Sequence, residues 1–146
     1  MNERLPLGGT DGHRGVAQLE TDQPGLINEK TFALLTAAHV SVLQEHGESG
    51  VVVVGQDTRP SSDALRRAAI AGARSQGAEV LDMQTVPTPL AQKVAESIGA
   101  MATVVVTASH NAYTDNGWKG MAGSDKLNDY QFGKLTKRFW EMDSSG

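Results

Sequence analysis

The chain has 146 residues, with 13 Lys and Arg against 17 Asp and Glu, so 13 − 17 gives a formal charge of −4. That length suits one domain with a core large enough to stand without staples. The absence of cysteine excludes disulfides, Cys–zinc sites and thiol catalysis, and the mild acidity argues against nucleic acid or an anionic membrane as partner. Met1 to Pro6 has no apolar h-region, and no apolar run approaches the ~18 residues of a membrane span. A cytoplasmic location is the expectation.

In chain order, the first feature is the glycine-rich polar segment Gly8 to Gly15. Asn28 can cap a helix reaching about Glu45, with Phe32, Leu35, Val42 and Leu43 inward and His39 and His46 as packing or boundary histidines. The run Val51-Val52-Val53-Val54, ended by Gly55, reads as a strand buried on both faces. Ser61 or Ser62 then caps a helix ending near Gly77, with Leu65, Ala68, Ala69 and Gly72 at helical spacing. Ala78 to Met83 reads as a second strand. Thr88 reads as an N-cap with Pro89 at N1, and Leu90, Val94 and Ile98 share one face of the helix that follows. Met101 to Val106 is a third strand, running into the polar segment Thr107 to Lys119. Asn128 opens a last helix with the stripe Phe132, Leu135 and Phe139; residues 143–146 read as a polar tail or the start of a linker.

Strands alternating with helices predict an α/β fold: a three-layer α/β/α sandwich on a mostly parallel or mixed sheet, as one domain over residues 1–146. Ligands in such folds bind beyond the carboxyl ends of the strands. Four polar segments should gather there: Gly8 to Gly15, Gly55 to Ser61, Val86 to Pro89, and Thr107 to Lys119. Three of them carry a cation, Arg14, Arg59 or Lys119, beside small residues. Glycines let backbone N–H groups approach an anion, and arginine offers a planar fork to phosphate oxygens. A phosphate ester fits this set better than a neutral substrate.

Familiar motifs are missing. There is no G-x-x-x-x-G-K-[ST] loop and no G-x-G-x-x-G fingerprint. Ser109 lies between Ala108 and His110, so the G-x-S-x-G elbow is absent, and a histidine adjacent in sequence is poorly placed to take the serine proton. A hydroxyl near several cations is better suited to carrying a phosphoryl group.

Together the segments resemble the α-D-phosphohexomutase family (phosphoglucomutase, phosphomannomutase and phosphoglucosamine mutase). Thr107-Ala108-Ser109-His110-Asn111 with Asn116-Gly117-Trp118-Lys119 resembles the phosphoserine loop T-A-S-H-N-P … N-G-x-K. Gly9-Thr10-Asp11-Gly12-His13-Arg14-Gly15 is similar to G-T-D-G-x-R-G, Gly55-Gln56-Asp57-Thr58-Arg59-Pro60-Ser61 to G-x-D-T-R-x-S, and Val86-Pro87-Thr88-Pro89 to the family's proline turn. The resemblance implies an isomerase that exchanges phosphate between the 1- and 6-positions of a hexose through a bisphosphorylated sugar, which also serves as activator.

Ser109 would carry the phosphoryl group and offer an oxygen to Mg²⁺. Lys119 would act as general acid or base, Arg14 would lie near the phosphoserine, and His110 and Asn111 would shape the loop and add hydrogen bonds. Arg59 could contact phosphate or support the loop through Asp57. The resemblance implies the first of four domains, with the metal's D-G-D-x-D-R aspartates, the sugar-selecting loop and a phosphate-gripping loop in domains II–IV, none of them in this sequence. The chain alone is therefore expected to be a poor mutase. A bare domain face would favour self-association. A phosphate-binding module without turnover, or a partner completing a separately encoded site, are the alternatives.

Two positions depart from the family pattern. Ala112 replaces the proline after S-H-N and is expected to loosen the loop. Trp118 replaces an aliphatic residue or phenylalanine and reads as packing behind the loop. Asp115-Asn116-Gly117 after Tyr113, together with Gly9-Thr10-Asp11-Gly12, looks more like the phosphoglucosamine mutases than the phosphomannomutases.

Overall fold

A computed structural model describes residues 7–9 and 12–144; Thr10, Asp11 and the end of the polar tail, residues 145–146, lie outside the described residues. Ten elements follow in order: β1 (His13–Val16), α1 (Glu29–Glu45), β2 (Val51–Gln56), α2 (Ser62–Ser75), β3 (Glu79–Thr85), α3 (Thr88–Ile98), β4 (Ala102–Val106), β5 (Asp115–Ala122), β6 (Asp125–Lys126) and α4 (Asp129–Ser144). The sheet has the order β1-β5-β4-β2-β3, with β6 added to β5. β2 pairs in parallel with β3 and β4, whereas β5 runs antiparallel to both β4 and β1. The sheet is mixed.

Alternation along the strands sorts the side chains onto two faces. Val52, Val54, Val104, Val106 and Trp118 join Phe32, Leu35, Leu65, Ala69, Leu135 and Phe139, so α1, α2 and α4 cover one face. Val53, Val105 and Met121 join Ala91 and Ala95, so α3 covers the other. This is the expected three-layer sandwich. Gly72 lets α1 and α2 touch: a Cβ there would lie 2.2 Å from the Ala33 carbonyl oxygen.

The helix boundaries follow from capping. Asn28 Oδ1 accepts the Thr31 N–H at 2.9 Å. Asn128 and Gln131 bond each other's backbone N–H groups at 2.8 and 2.9 Å, a reciprocal capping box. Gly77 takes φ +80 just beyond α2. The N-cap of α3 is Pro87, with Thr88 already helical, one residue from the expectation.

Three expectations are corrected. Gly55 does not end β2: the strand continues to Gln56, because a Cβ at Gly55 would meet Val86 Cγ1 at 2.3 Å and glycine leaves the room. Leu90 and Ile98 are half exposed, and the sheet-facing residues of α3 are the small Ala91 and Ala95, which let the helix sit close. Asp143 and Ser144 belong to α4. Among the described residues no helix is long and apolar enough to cross a membrane.

The two histidines are structural. His39, fully buried, donates from Nε2 to the Met121 carbonyl at 2.9 Å and stands edge-on to Trp118 at 5.6 Å. His46 closes α1 and accepts from Lys134 Nζ at 2.8 Å.

Candidate active site

The parallel strands β2 and β3 end at the edge where α2 and α3 begin, and the loop between β4 and β5 leaves the sheet at that same edge. The loop starts with Thr107, whose N–H donates to the Gly117 carbonyl at 2.9 Å. Two turns follow, Asn111 N–H to Ala108 O at 3.0 Å and Asp115 N–H to Ala112 O at 2.9 Å. Ser109 is exposed and takes φ +54, the left-handed region that side chains rarely adopt.

Arg59, from the β2–α2 segment, fills the inside of this loop. Its Nη2 donates to the Ser109 carbonyl at 2.8 Å, and Nη1 donates to the carbonyls of Asn111 (3.2 Å), Ala112 and Asp115 (3.3 Å). Its Nε donates to Asp57 Oδ2 at 2.8 Å, and only 8% of the side chain is exposed. With its fork directed at backbone carbonyls, Arg59 takes the supporting arrangement. The same brace holds the Ala112 carbonyl, a restraint at the position that lacks the family proline.

Asp57 is the hub beneath. Besides Arg59 it accepts from Thr107 Oγ1 at 2.8 Å and Ser62 Oγ at 2.9 Å. Partial burial pushes its carboxyl up, but the hydrogen bonds from Thr107, Arg59 and Ser62, with the Arg59 charge, outweigh burial and hold it below the usual carboxylate range. Thr107 Oγ1 in turn accepts the Ser109 N–H at 3.0 Å. Asn116, fully buried, joins β5 to the start of α2: its Nδ2 donates to Ser61 and Ser62 at 2.9 and 3.0 Å, and its Oδ1 accepts the Gly117 N–H at 2.9 Å. In the sequence Asp57 reads only as the support of Arg59, and Thr107 and Asn116 read only as parts of motifs. For Asp57 and Thr107 the signal is a small polar residue directly after a strand, where side chains can reach neighbouring loops, whereas Asn116 lies within β5.

The cations stand on the sheet face that α3 occupies farther along. Arg14 pairs across β1–β5 with Gly117, and Lys119 lies two residues on along the same face of β5. A Cβ at Gly117 would meet the Thr107 carbonyl at 2.6 Å and Arg14 Cγ at 2.9 Å. Glycine thus lets the Arg14 stem cross the root of the Ser109 loop. Lys119 is half-buried and Arg14 exposed. His110 is exposed on the loop, and Asn111 Nδ2 donates to Asp115 Oδ2 at 3.2 Å, a contact that shapes the loop. Trp118 points to the opposite face, 1% exposed, with Nε1 donating to Thr36 Oγ1 at 3.0 Å and its ring over Gly120, which is packing behind the loop. β1 and β5 were read as polar loops; both are strands.

The family model for phosphoglucomutase/phosphomannomutase, alpha/beta/alpha domain I, matches residues 6–140. The chain belongs to that family. Among similar proteins is a phosphoglucosamine mutase of Rubrobacter xylanophilus, 44% identical over 124 residues, covering 85% of this chain and 26% of the relative. A probable phosphoglucosamine mutase of Methanothermobacter thermautotrophicus is 44% identical over 121 residues, with 82% and 25% covered. The crystal structure of a Burkholderia thailandensis phosphoglucomutase/phosphomannomutase family protein superposes with a TM-score of 0.77 at 26% identity, over 94% of this chain and 31% of that one. The chain thus spans about a quarter of the length of the curated relatives it matches.

The family setting raises the question of Mg²⁺. Among the described residues no group of three His, Cys, Asp or Glu could hold a metal ion. Asp57 is committed to Arg59, Thr107 and Ser62, and Asp115 accepts from Asn111. The described residues of this domain I therefore do not form a cage for Mg²⁺.

Proposed function

We propose that this chain is the phosphoserine domain of a hexose-phosphate mutase, with Ser109 as the phosphoryl carrier and phosphoglucosamine as the substrate class. The observation that carries the reading is an exposed serine on a loop braced from within by Arg59, rooted beside Arg14 and on the strand that bears Lys119. The names of the relatives at 44% identity support the amino sugar, as does the Asp115-Asn116-Gly117 pattern.

The chemistry assigned to this chain is one half of an exchange. Ser109 Oγ attacks a phosphorus of a hexose bisphosphate; the Oγ–P bond forms as the sugar O–P bond breaks, and the serine proton ends on the sugar hydroxyl. In the other half, phosphorylated Ser109 gives its phosphoryl group to the free hydroxyl of a hexose monophosphate, and the bisphosphate so formed turns before Ser109 takes back the phosphate from the other position. Lys119 is the residue assigned to move that proton, and Arg14 the residue assigned to balance the charge of phosphorylated Ser109. Asn111 and His110 set the loop's shape and edge. Mg²⁺, when bound, would neutralise phosphoryl charge; this chain would contribute one oxygen of phosphorylated Ser109, and the other ligands and the sugar clamp belong to the portion of the mutase that the chain does not match.

The test is a chimera in which this chain replaces the matching segment of the Rubrobacter xylanophilus phosphoglucosamine mutase. The expected result is mutase turnover that Ser109→Ala abolishes and Lys119→Met lowers. Turnover that survives Ser109→Ala would overturn the assignment.

A further inference from the structure

Ser109 is held at both poles of its backbone by one part-buried pair, Asp57 and Arg59. Arg59 Nη2 donates to its carbonyl at 2.8 Å. Its N–H donates to Thr107 Oγ1 at 3.0 Å, and that hydroxyl in turn donates to Asp57 Oδ2 at 2.8 Å. Asp57 Oδ2 also accepts from Arg59 Nε at 2.8 Å, which closes the circuit. The donors run from Ser109 through Thr107 to Asp57 on one side, and on the other Arg59 donates both to Asp57 and to the Ser109 carbonyl.

The residue enclosed is the one in the left-handed region, φ +54, where an L side chain is strained. A threonine hydroxyl accepting from the residue two ahead is a local turn device. Here it is anchored to a carboxylate held ionised by its neighbours, so the hydroxyl's proton direction is fixed and its lone pair faces Ser109. We propose that Thr107, Asp57 and Arg59 are positioning residues that impose the strained backbone on Ser109 and so aim its Oγ out of the loop. None of the three is assigned contact with substrate. The consequence for rate rests on the reading of Ser109 as phosphoryl acceptor; the clamp itself does not.

The two claims are tested separately. The clamp is tested on the 146-residue chain by thermal unfolding of Ser109→Gly in two backgrounds. With the clamp intact, glycine relieves the strain and raises Tm by about 2–4 °C. In Thr107→Val, which keeps the branched shape and removes the hydroxyl, Ser109 relaxes out of the left-handed region and the rise disappears. It returns in Thr107→Ser. Should Thr107→Val not fold, Arg59→Lys is the second background: it keeps a cation beside Asp57, loses the bond to the Ser109 carbonyl, and is expected to lose the rise as well. An equal rise in all backgrounds, or none in the first, overturns the clamp.

The consequence is tested in the chimera by the rate at which a hexose bisphosphate phosphorylates Ser109. Thr107→Val should slow it about 10- to 100-fold, in the range a misplaced reacting group produces, and Thr107→Ser should recover most of it. Unchanged phosphorylation in a folded Thr107→Val protein refutes the positioning role. No phosphorylation of the unsubstituted chimera refutes the functional reading instead, and the thermal series still decides the clamp.

Discussion

The pH dependence of stability should be set largely by a histidine outside the candidate site. His39 is 2% exposed, and burial pushes its pKa from 6.5 down to about 4, against a smaller upward pull from its bond to the Met121 carbonyl. The folded protein keeps the ring neutral, while the unfolded chain takes up a proton below pH 6.5. Stability is therefore complete above that value and lost as pH falls towards about 4. Proton linkage gives a loss of about 2 kcal/mol at pH 5 and about 3 kcal/mol at pH 4, relative to pH 8. His13 acts in the same direction: burial lowers its pKa against the pull of its bond to the Gly25 carbonyl. Urea unfolding at pH 8 and pH 5, read by tryptophan fluorescence, measures the difference. His39→Gln keeps an N–H for the Met121 carbonyl and cannot titrate in this range. It should remove about 2 kcal/mol from the loss between pH 8 and pH 5, leaving the part that belongs to His13. An unchanged loss in His39→Gln would refute the reasoning.

Other outcomes follow from the site. Asn116→Ala removes three hydrogen bonds from a fully buried side chain and should cost about 3 kcal/mol in urea unfolding; a cost under about 1 kcal/mol would mean that water replaces the amide there. Gly117→Ala puts a methyl 2.6 Å from the Thr107 carbonyl and should cost about 1–3 kcal/mol while displacing Arg14, so the chimera should lose turnover beyond what its stability explains. Lys119→Met keeps the stem of a half-buried side chain and should leave Tm within a few degrees, yet lower chimera turnover about 10²- to 10⁴-fold.

The legible parts of the fold were those where local chemistry and tertiary packing agree. Four β-branched valines in a row, closed by glycine, favour a strand buried on both sides, and Asn28 and Asn128 announce their helices because their side chains bond the first turn. β5 was illegible because Asp-Asn-Gly-Trp-Lys-Gly carries no alternation and two glycines; it is a strand because β1 and β4 pair with it and Trp118 finds His39 and Thr36. Missing β5 also hid why Gly117 and Arg14 belong together, since only the register puts them opposite each other. α3 misled through size: its large apolar residues face outward, and the sheet takes the alanines.

The candidate site was readable as a set of segments and not as a network. Ser109, Arg14 and Lys119 stood out by residue type and motif. Arg59 was ambiguous because its partners are backbone carbonyls some fifty residues away, at Ser109, Asn111, Ala112 and Asp115, and carbonyls leave no mark on a sequence. Thr107 was read as part of a motif, though its hydroxyl is the link between Asp57 and the Ser109 N–H.

The most direct measurement is the mass of the folded chimera, and of its Ser109-containing peptide, after incubation with a hexose bisphosphate and Mg²⁺. The account predicts a gain of one phosphoryl group, located on Ser109 and absent from Ser109→Ala. A phosphoryl group on another residue, or none on a chimera that is folded and binds the sugar, would contradict it.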